Sequence, residues 1–104
     1  MTSIFKGERE AGGVTATVEA FESALAAFPG SEAERAAVAR LAADLAVSGR
    51  YEADTGRELT PAEVVEHLDD APDERVVSRW NWWVGSLDLA HGGYAEFVVR
   101  RWRE

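Results

Sequence analysis

Residues 28–31 read Phe-Pro-Gly-Ser, and this short stretch limits what the chain can fold into more than any other. Upstream of it, Val14, Val18, Phe21, Leu25 and Phe28 recur at spacings of 4, 3, 4 and 3, which lines all five along one stripe of a helix. Pro29 cannot continue that helix, and Gly30 frees the backbone to turn. Ser31 followed three residues later by Glu34 is a capping box, so a second helix is predicted to begin at once. Its apolar stripe is Val38, Leu41 and Leu45, interleaved with Ala37, Ala42 and Ala46, and Gly49 supplies a stop after Ser48. Two amphipathic helices joined this tightly lie antiparallel, so the expected foundation is an N-terminal αα-hairpin.

Residues 50–59 read as a loop that turns at Asp54-Thr55-Gly56. Thr60-Pro61-Ala62-Glu63 then combines an N-cap, Pro at the first helical position and Glu at the third, opening a short helix with Val64, Val65 and Leu68 as core contacts. Asp69-Asp70-Ala71-Pro72 ends it. A fourth helix is predicted from about Asp73 to Ala90, with His91 at its negative end and Gly92-Gly93 beyond. After Gly93, Tyr94, Phe97, Val98 and Trp102 suit one helix face, while the aromatic and β-branched content also suits a strand. A helix is the expectation, because an Arg-rich end complements a helix C-terminus and no partner strand is evident. The fold class expected is therefore all-α, a compact bundle of four to five short helices. Residues 14–104 form one domain in this reading, and residues 1–13 a flexible N-terminal segment.

Size and composition narrow the function classes. A chain of 104 residues supports one core. With no cysteine there is no disulfide framework, Cys-ligated zinc, iron–sulfur cluster or thiol nucleophile, so stability must come from packing. No apolar run reaches the roughly 18 residues of a membrane span, and Met1–Gly13 lacks the apolar stretch of a signal peptide, which makes a cytoplasmic location the expectation.

The net charge of -8 is regional. Residues 52–74 hold nine acids (Glu52, Asp54, Glu58, Glu63, Glu66, Asp69, Asp70, Asp73 and Glu74) against Arg57 alone. The flanking parts, 1–51 and 75–104, come to -2 and +2 and cancel. Such a segment is either a solvated, solubilising face or a docking face for a basic partner. Direct binding to nucleic acid through it is disfavoured, since phosphates repel carboxylates and counterion release needs Lys and Arg.

Three of the four tryptophans stand in Arg79-Trp80-Asn81-Trp82-Trp83-Val84. At about 100° per residue, Trp80, Trp83, Val84 and Leu87 share one helix face, while Trp82 lies about 200° from Trp80, near Leu89. One arrangement that satisfies this is a central helix enclosed by the others. The alternative leaves Trp82 exposed as an anchor, with Arg79 beside it, since Trp and Arg dominate interface energies. A homodimer through this helix is one form of that alternative.

Pro61–Leu68, a turn, and Val76-Val77-Ser78-Arg79-Trp80 together resemble helix-turn-helix DNA-binding regulators over about a quarter of the chain. The resemblance implies DNA contacts from Arg75, Arg79 and Asn81. The turn departs from the pattern. It is longer than three or four residues, lacks the glycine, and carries Asp69, Asp70, Asp73 and Glu74 where phosphates would lie.

Glu63, Glu66, His67 and Asp70 fall along one helical edge and carry donor types that suit Zn, Mn or Fe. A single exposed helix gives no enclosing shell, and no H-E-x-x-H is present, so a solvated face is expected and neither metal nor cofactor. The serines sit in no nucleophile setting, the two histidines are in unrelated contexts, and no phosphate-binding glycine motif occurs. The chain is thus expected to be no enzyme but a small acidic protein that binds a macromolecular partner, in its sharpest form a regulator or inhibitor covering a basic, nucleic-acid-binding protein surface. The partner-contacting residues expected are Trp82, Arg79, Glu63, Glu66, Asp69, Asp70, Asp73 and Glu74. The rival readings are a helix-turn-helix regulator and a homo-oligomeric structural component.

Overall fold

A computed structural model describes residues 17–100, and within them the chain is all-α. Five α-helices follow in order: α1 (Val18–Leu25), α2 (Glu32–Ser48), α3 (Arg50–Thr55), α4 (Pro61–Asp69) and α5 (Val76–His91), then a 3-10 turn at Ala95–Phe97. Val14 and the expected flexible segment 1–13 lie outside the described residues, as does Trp102. No helix among the described residues is long and apolar enough to cross a membrane.

The hairpin forms as the junction requires. Thr17 caps α1 through Ala20 N–H, and α2 opens on a complete capping box between Ser31 and Glu34. Gly30 sits at φ 148, and a Cβ there would come within 2.9 Å of Val76 and 3.0 Å of the Glu34 carboxylate, so both backbone freedom and space select glycine. Val38, Ala39, Ala42, Ala43 and Leu45 of α2 are buried, and the small side chains let Phe21 and Leu25 of α1 close on them. α4 begins with Thr60 capping Glu63 N–H and Pro61 in the first turn, and buries Val64 and Leu68 in the same core.

Two boundaries differ from the sequence reading. Residues 50–55, expected as loop, form α3, because Gly49 takes the left-handed conformation (φ 75) and restarts the chain in a new direction, while Gly56 (φ 78) ends it. This short helix carries Tyr51 into the core. α5 starts at Val76 rather than Asp73, because Arg75 is extended (φ -82, ψ 150) and pairs with the buried Glu34. The Val76 N–H donates to Pro29 O at 2.8 Å, so the hairpin turn takes the place of a local side-chain cap.

The segment after α5 is neither the expected helix nor a strand. After Gly92 (φ 79) and Gly93 (φ 84) reverse the chain, it forms one 3-10 turn and runs on extended, with Val98 at φ -84 and ψ 155. Tyr94 is fully buried, donating from its hydroxyl to Asp54 Oδ2 at 2.6 Å and from its N–H to Asp88 Oδ1 at 2.9 Å. Backbone groups that a helix would satisfy internally are met by α5 side chains instead.

Candidate functional site

α5 is where the core, a polar cluster and the exposed surface meet, and Trp80-Asn81-Trp82-Trp83 divides among the three. Trp80 is wholly buried and donates its indole N–H to Phe97 O at 2.7 Å. Asn81 grips Val99 from both sides, its Nδ2 donating to Val99 O at 2.9 Å and its Oδ1 accepting from Val99 N at 2.8 Å. Trp83, 4% exposed, packs edge-on against Trp80 and Tyr51 and stacks on His67 with ring centroids 4.9 Å apart. Trp82 alone of the three indoles faces outward, 41% exposed. Leu89, seven residues on and 91% exposed, lies on the same side of the helix.

The polar cluster is centred on Glu63, whose side chain is 6% exposed. Arg57 binds it bidentately, Nε to Oε2 at 2.8 Å and Nη2 to Oε1 at 2.9 Å. Tyr51 donates its hydroxyl to Oε2 at 2.7 Å, and His67 Nε2, one helical turn along α4, lies 3.2 Å from that oxygen. The Arg57 hydrogen bonds, followed by those of Tyr51 and His67, outweigh burial and hold the Glu63 carboxyl down at about 2. Burial, with Glu63 beside it, pushes the Tyr51 hydroxyl well above its ordinary value. Together with Thr55, Glu66, Trp83 and Leu87 these residues line a cleft of ≈ 390 Å³. Through these contacts the cluster joins α3, α4 and α5. Among the described residues no group of three or more acidic or histidine side chains is arranged to hold a metal ion. Glu63 is committed to Arg57, Tyr51 and His67, while Glu66 and Asp70, which share its helical edge in the sequence, stay exposed.

The expected contact residues separate accordingly. Glu66, Asp69, Asp70, Asp73 and Glu74 are all exposed, at the end of α4 and along the connection to α5. Glu63 and Arg79 turn inward. Arg79 Nη1 donates to Leu68 O at 2.8 Å, capping the C-terminus of α4, its Nε donates to Glu74 O at 3.1 Å, and the guanidinium lies 4.7 Å over the Phe28 ring. The side chains that a helix-turn-helix reading would send to DNA are engaged within the fold: Arg75 with Glu34, Arg79 with α4, and Asn81 with Val99.

Sequence reasoning missed Tyr51 and Arg57 as partners of Glu63, and Asn81 as a backbone clamp. One signal was available: Arg57 is the single base among nine acids in residues 52–74, a position that favours a bidentate partner nearby. Because Arg57 and Glu63 neutralise each other, the segment's charge rests on eight exposed carboxylates.

No match was found among curated proteins or among solved structures. The family model of the WNWW domain, whose name is the tetrapeptide spelt by residues 80–83, matches residues 5–88, and the chain belongs to that family.

Proposed function

We propose that this WNWW domain is a non-enzymatic binding module that docks on a basic surface of a protein partner. Trp82 is the apolar anchor, and Glu66, Asp69, Asp70, Asp73 and Glu74 set the charge complementarity. In its most specific form the module is a regulator or inhibitor that covers a surface otherwise used for nucleic acid. The observation that carries the reading is the isolation of Trp82: its neighbours Trp80 and Trp83 are buried, while its indole is 41% exposed on a helix face shared with Leu89. Trp is strongly enriched among residues that dominate interface energies.

The placement of the acids adds support. Glu66, Asp69 and Asp70 stand in and just after the last turn of α4, where the helix dipole is negative and each carboxylate costs up to about 1 kcal/mol at an exposed site. Solubility alone does not call for acids at that end. Trp82 lies six residues into α5, about 9 Å along the helix from Val76, and Glu74 stands two residues before that helix begins, so charge and anchor lie within the span of one interface.

The test is capture of a basic partner from the source cell by the immobilised chain. Neutralising Glu66, Asp69, Asp70, Asp73 and Glu74 to their amides is expected to reduce recovery at least about tenfold at low salt, and added salt to reduce wild-type recovery as well. The melting temperature should stay level or rise, since the dipole conflict in α4 is relieved. Undiminished recovery by the neutralised chain refutes the reading. Glu63 is left intact in this variant because its carboxylate is structural.

A further inference from the structure

We infer that Trp80 and Asn81 form a receptor for an extended peptide backbone, with residues 97–99 of this chain as its resident ligand and the same residues of a second copy as its ligand in trans. Association by this route is reciprocal exchange of the segment that follows α5. Each copy then completes the other's groove.

Three hydrogen bonds define the receptor. The Trp80 indole N–H reaches Phe97 O at 2.7 Å, and the Asn81 amide both donates to and accepts from Val99, at 2.9 and 2.8 Å. The bonded residues are two apart, the spacing at which an extended chain presents the same edge, and Val98 between them is extended. Asn81 meets Val99 as a neighbouring strand would, pairing one donor and one acceptor of a single residue, which is the hydrogen-bonding mode of strand addition. All three bonds go to the main chain, so side-chain identity enters only through fit. Phe97 is buried and Val98 and Val99 are half-buried, so the ligand chemistry is an aromatic residue followed by two β-branched ones.

The connection allows the exchange. Segment and receptor are joined through Gly92-Gly93, both at positive φ. Arg50 Nη1 donates to Gly93 O at 2.8 Å, so this reversal is held by a specific hydrogen bond of the closed form. Swinging the glycine pair open carries Tyr94, Phe97 and Val99 away together. A second copy offers the identical groove, so the hydrogen bonds broken within one chain form again between the two. Within one chain a short tether holds the segment at an effective concentration of about a millimolar or more, so the closed form prevails in the unaltered chain in dilute solution.

Complementation between two full-length variants tests this. Val99→Pro keeps the groove and removes the N–H that Asn81 accepts, whereas Asn81→Ala keeps the segment and removes the clamp. Each alone is expected to be monomeric. Mixed in equal amounts up to about 1 mM, they should form a heterodimer containing one copy of each, seen by native mass spectrometry, with the Val99 amide of the labelled Asn81→Ala chain at least about tenfold better protected from hydrogen exchange than in that variant alone. Failure of both heterodimer and protection overturns the proposal. Deleting Gly92 and Gly93 from the otherwise unchanged chain is the second test: it blocks the return of the segment, so a dimer by sedimentation is expected, and a folded monomer overturns the proposal.

Discussion

Replacing Trp80 with alanine is expected to destabilise the fold by about 4 kcal/mol, the middle of the range for core aromatic truncations. The side chain is fully buried, in contact with Trp83, and its indole N–H is bonded to Phe97 O, so truncation leaves both a cavity and an unpaired carbonyl. For a domain of this size that is a large fraction of a total of about 5–15 kcal/mol, and the melting temperature should fall by roughly 20 °C. Trp82→Ala, two residues away, should cost only about 1 kcal/mol, because its indole stands partly in solvent and no enclosed cavity results. Urea denaturation of the two variants beside the parent chain measures the contrast. Equal losses at the two positions would contradict the division of the tetrapeptide into inward and outward residues.

Glu63→Gln should have the second largest effect and a distinctive pH signature. Amide replacement keeps the shape but removes the negative charge that accepts from Tyr51 and from both nitrogens of Arg57. Charge-assisted bonds of this kind contribute about 1.5–3 kcal/mol, and because Arg57 is 64% exposed the lower part of the range, about 2 kcal/mol, is expected at pH 7. The folded carboxyl titrates at about 2 against an ordinary value of 4.5, so the folded state binds its proton less readily than the unfolded chain does. The contribution of Glu63 is therefore complete above pH 4.5 and declines as pH falls toward about 2. The gap in unfolding free energy between parent and variant should accordingly narrow from pH 7 to pH 2.5. A gap that stays constant across that interval would show that the charge on Glu63 does not stabilise the fold.

The parts of this fold that were legible in the sequence are those written in local signals. Ser31 with Glu34, and Thr60 with Pro61 and Glu63, mark helix starts through hydrogen bonds spanning three residues, and the helical spacing of Phe21 and Leu25 in α1 and of Val38 and Leu45 in α2 reports burial directly. α3 was hidden because a six-residue helix has too few turns to show a period, and its start depends on the conformation of Gly49. The course of residues 94–100 depends on partners far away in the chain: Asn81 and Trp80 are 18 and 17 residues from the groups they bind. No local pattern encodes such a pairing.

The candidate surface was legible in the same partial way. Helical geometry alone separates Trp82 from Trp80 and Trp83, but whether another element covers its face is a matter of packing. The acidic run gave the sign of the surface and misassigned one member. Glu63 looked like its neighbours in sequence, yet the approach of Arg57 and Tyr51 from two other parts of the chain turns it into a buried structural anchor. Arg79 was misread for a similar reason. Its charge suggested an interface, and in the fold it serves the open carbonyl end of α4.

The most direct measurement is the recovery of the proposed basic partner by Trp82→Ala, made on the same preparation whose thermal melting is recorded. A binding module anchored on Trp82 should melt within a few degrees of the parent chain and lose at least about tenfold in partner recovery, as truncation of a central interface tryptophan costs upwards of about 2 kcal/mol. Recovery equal to that of the parent, with the fold intact, would contradict the assignment of this face as the docking surface.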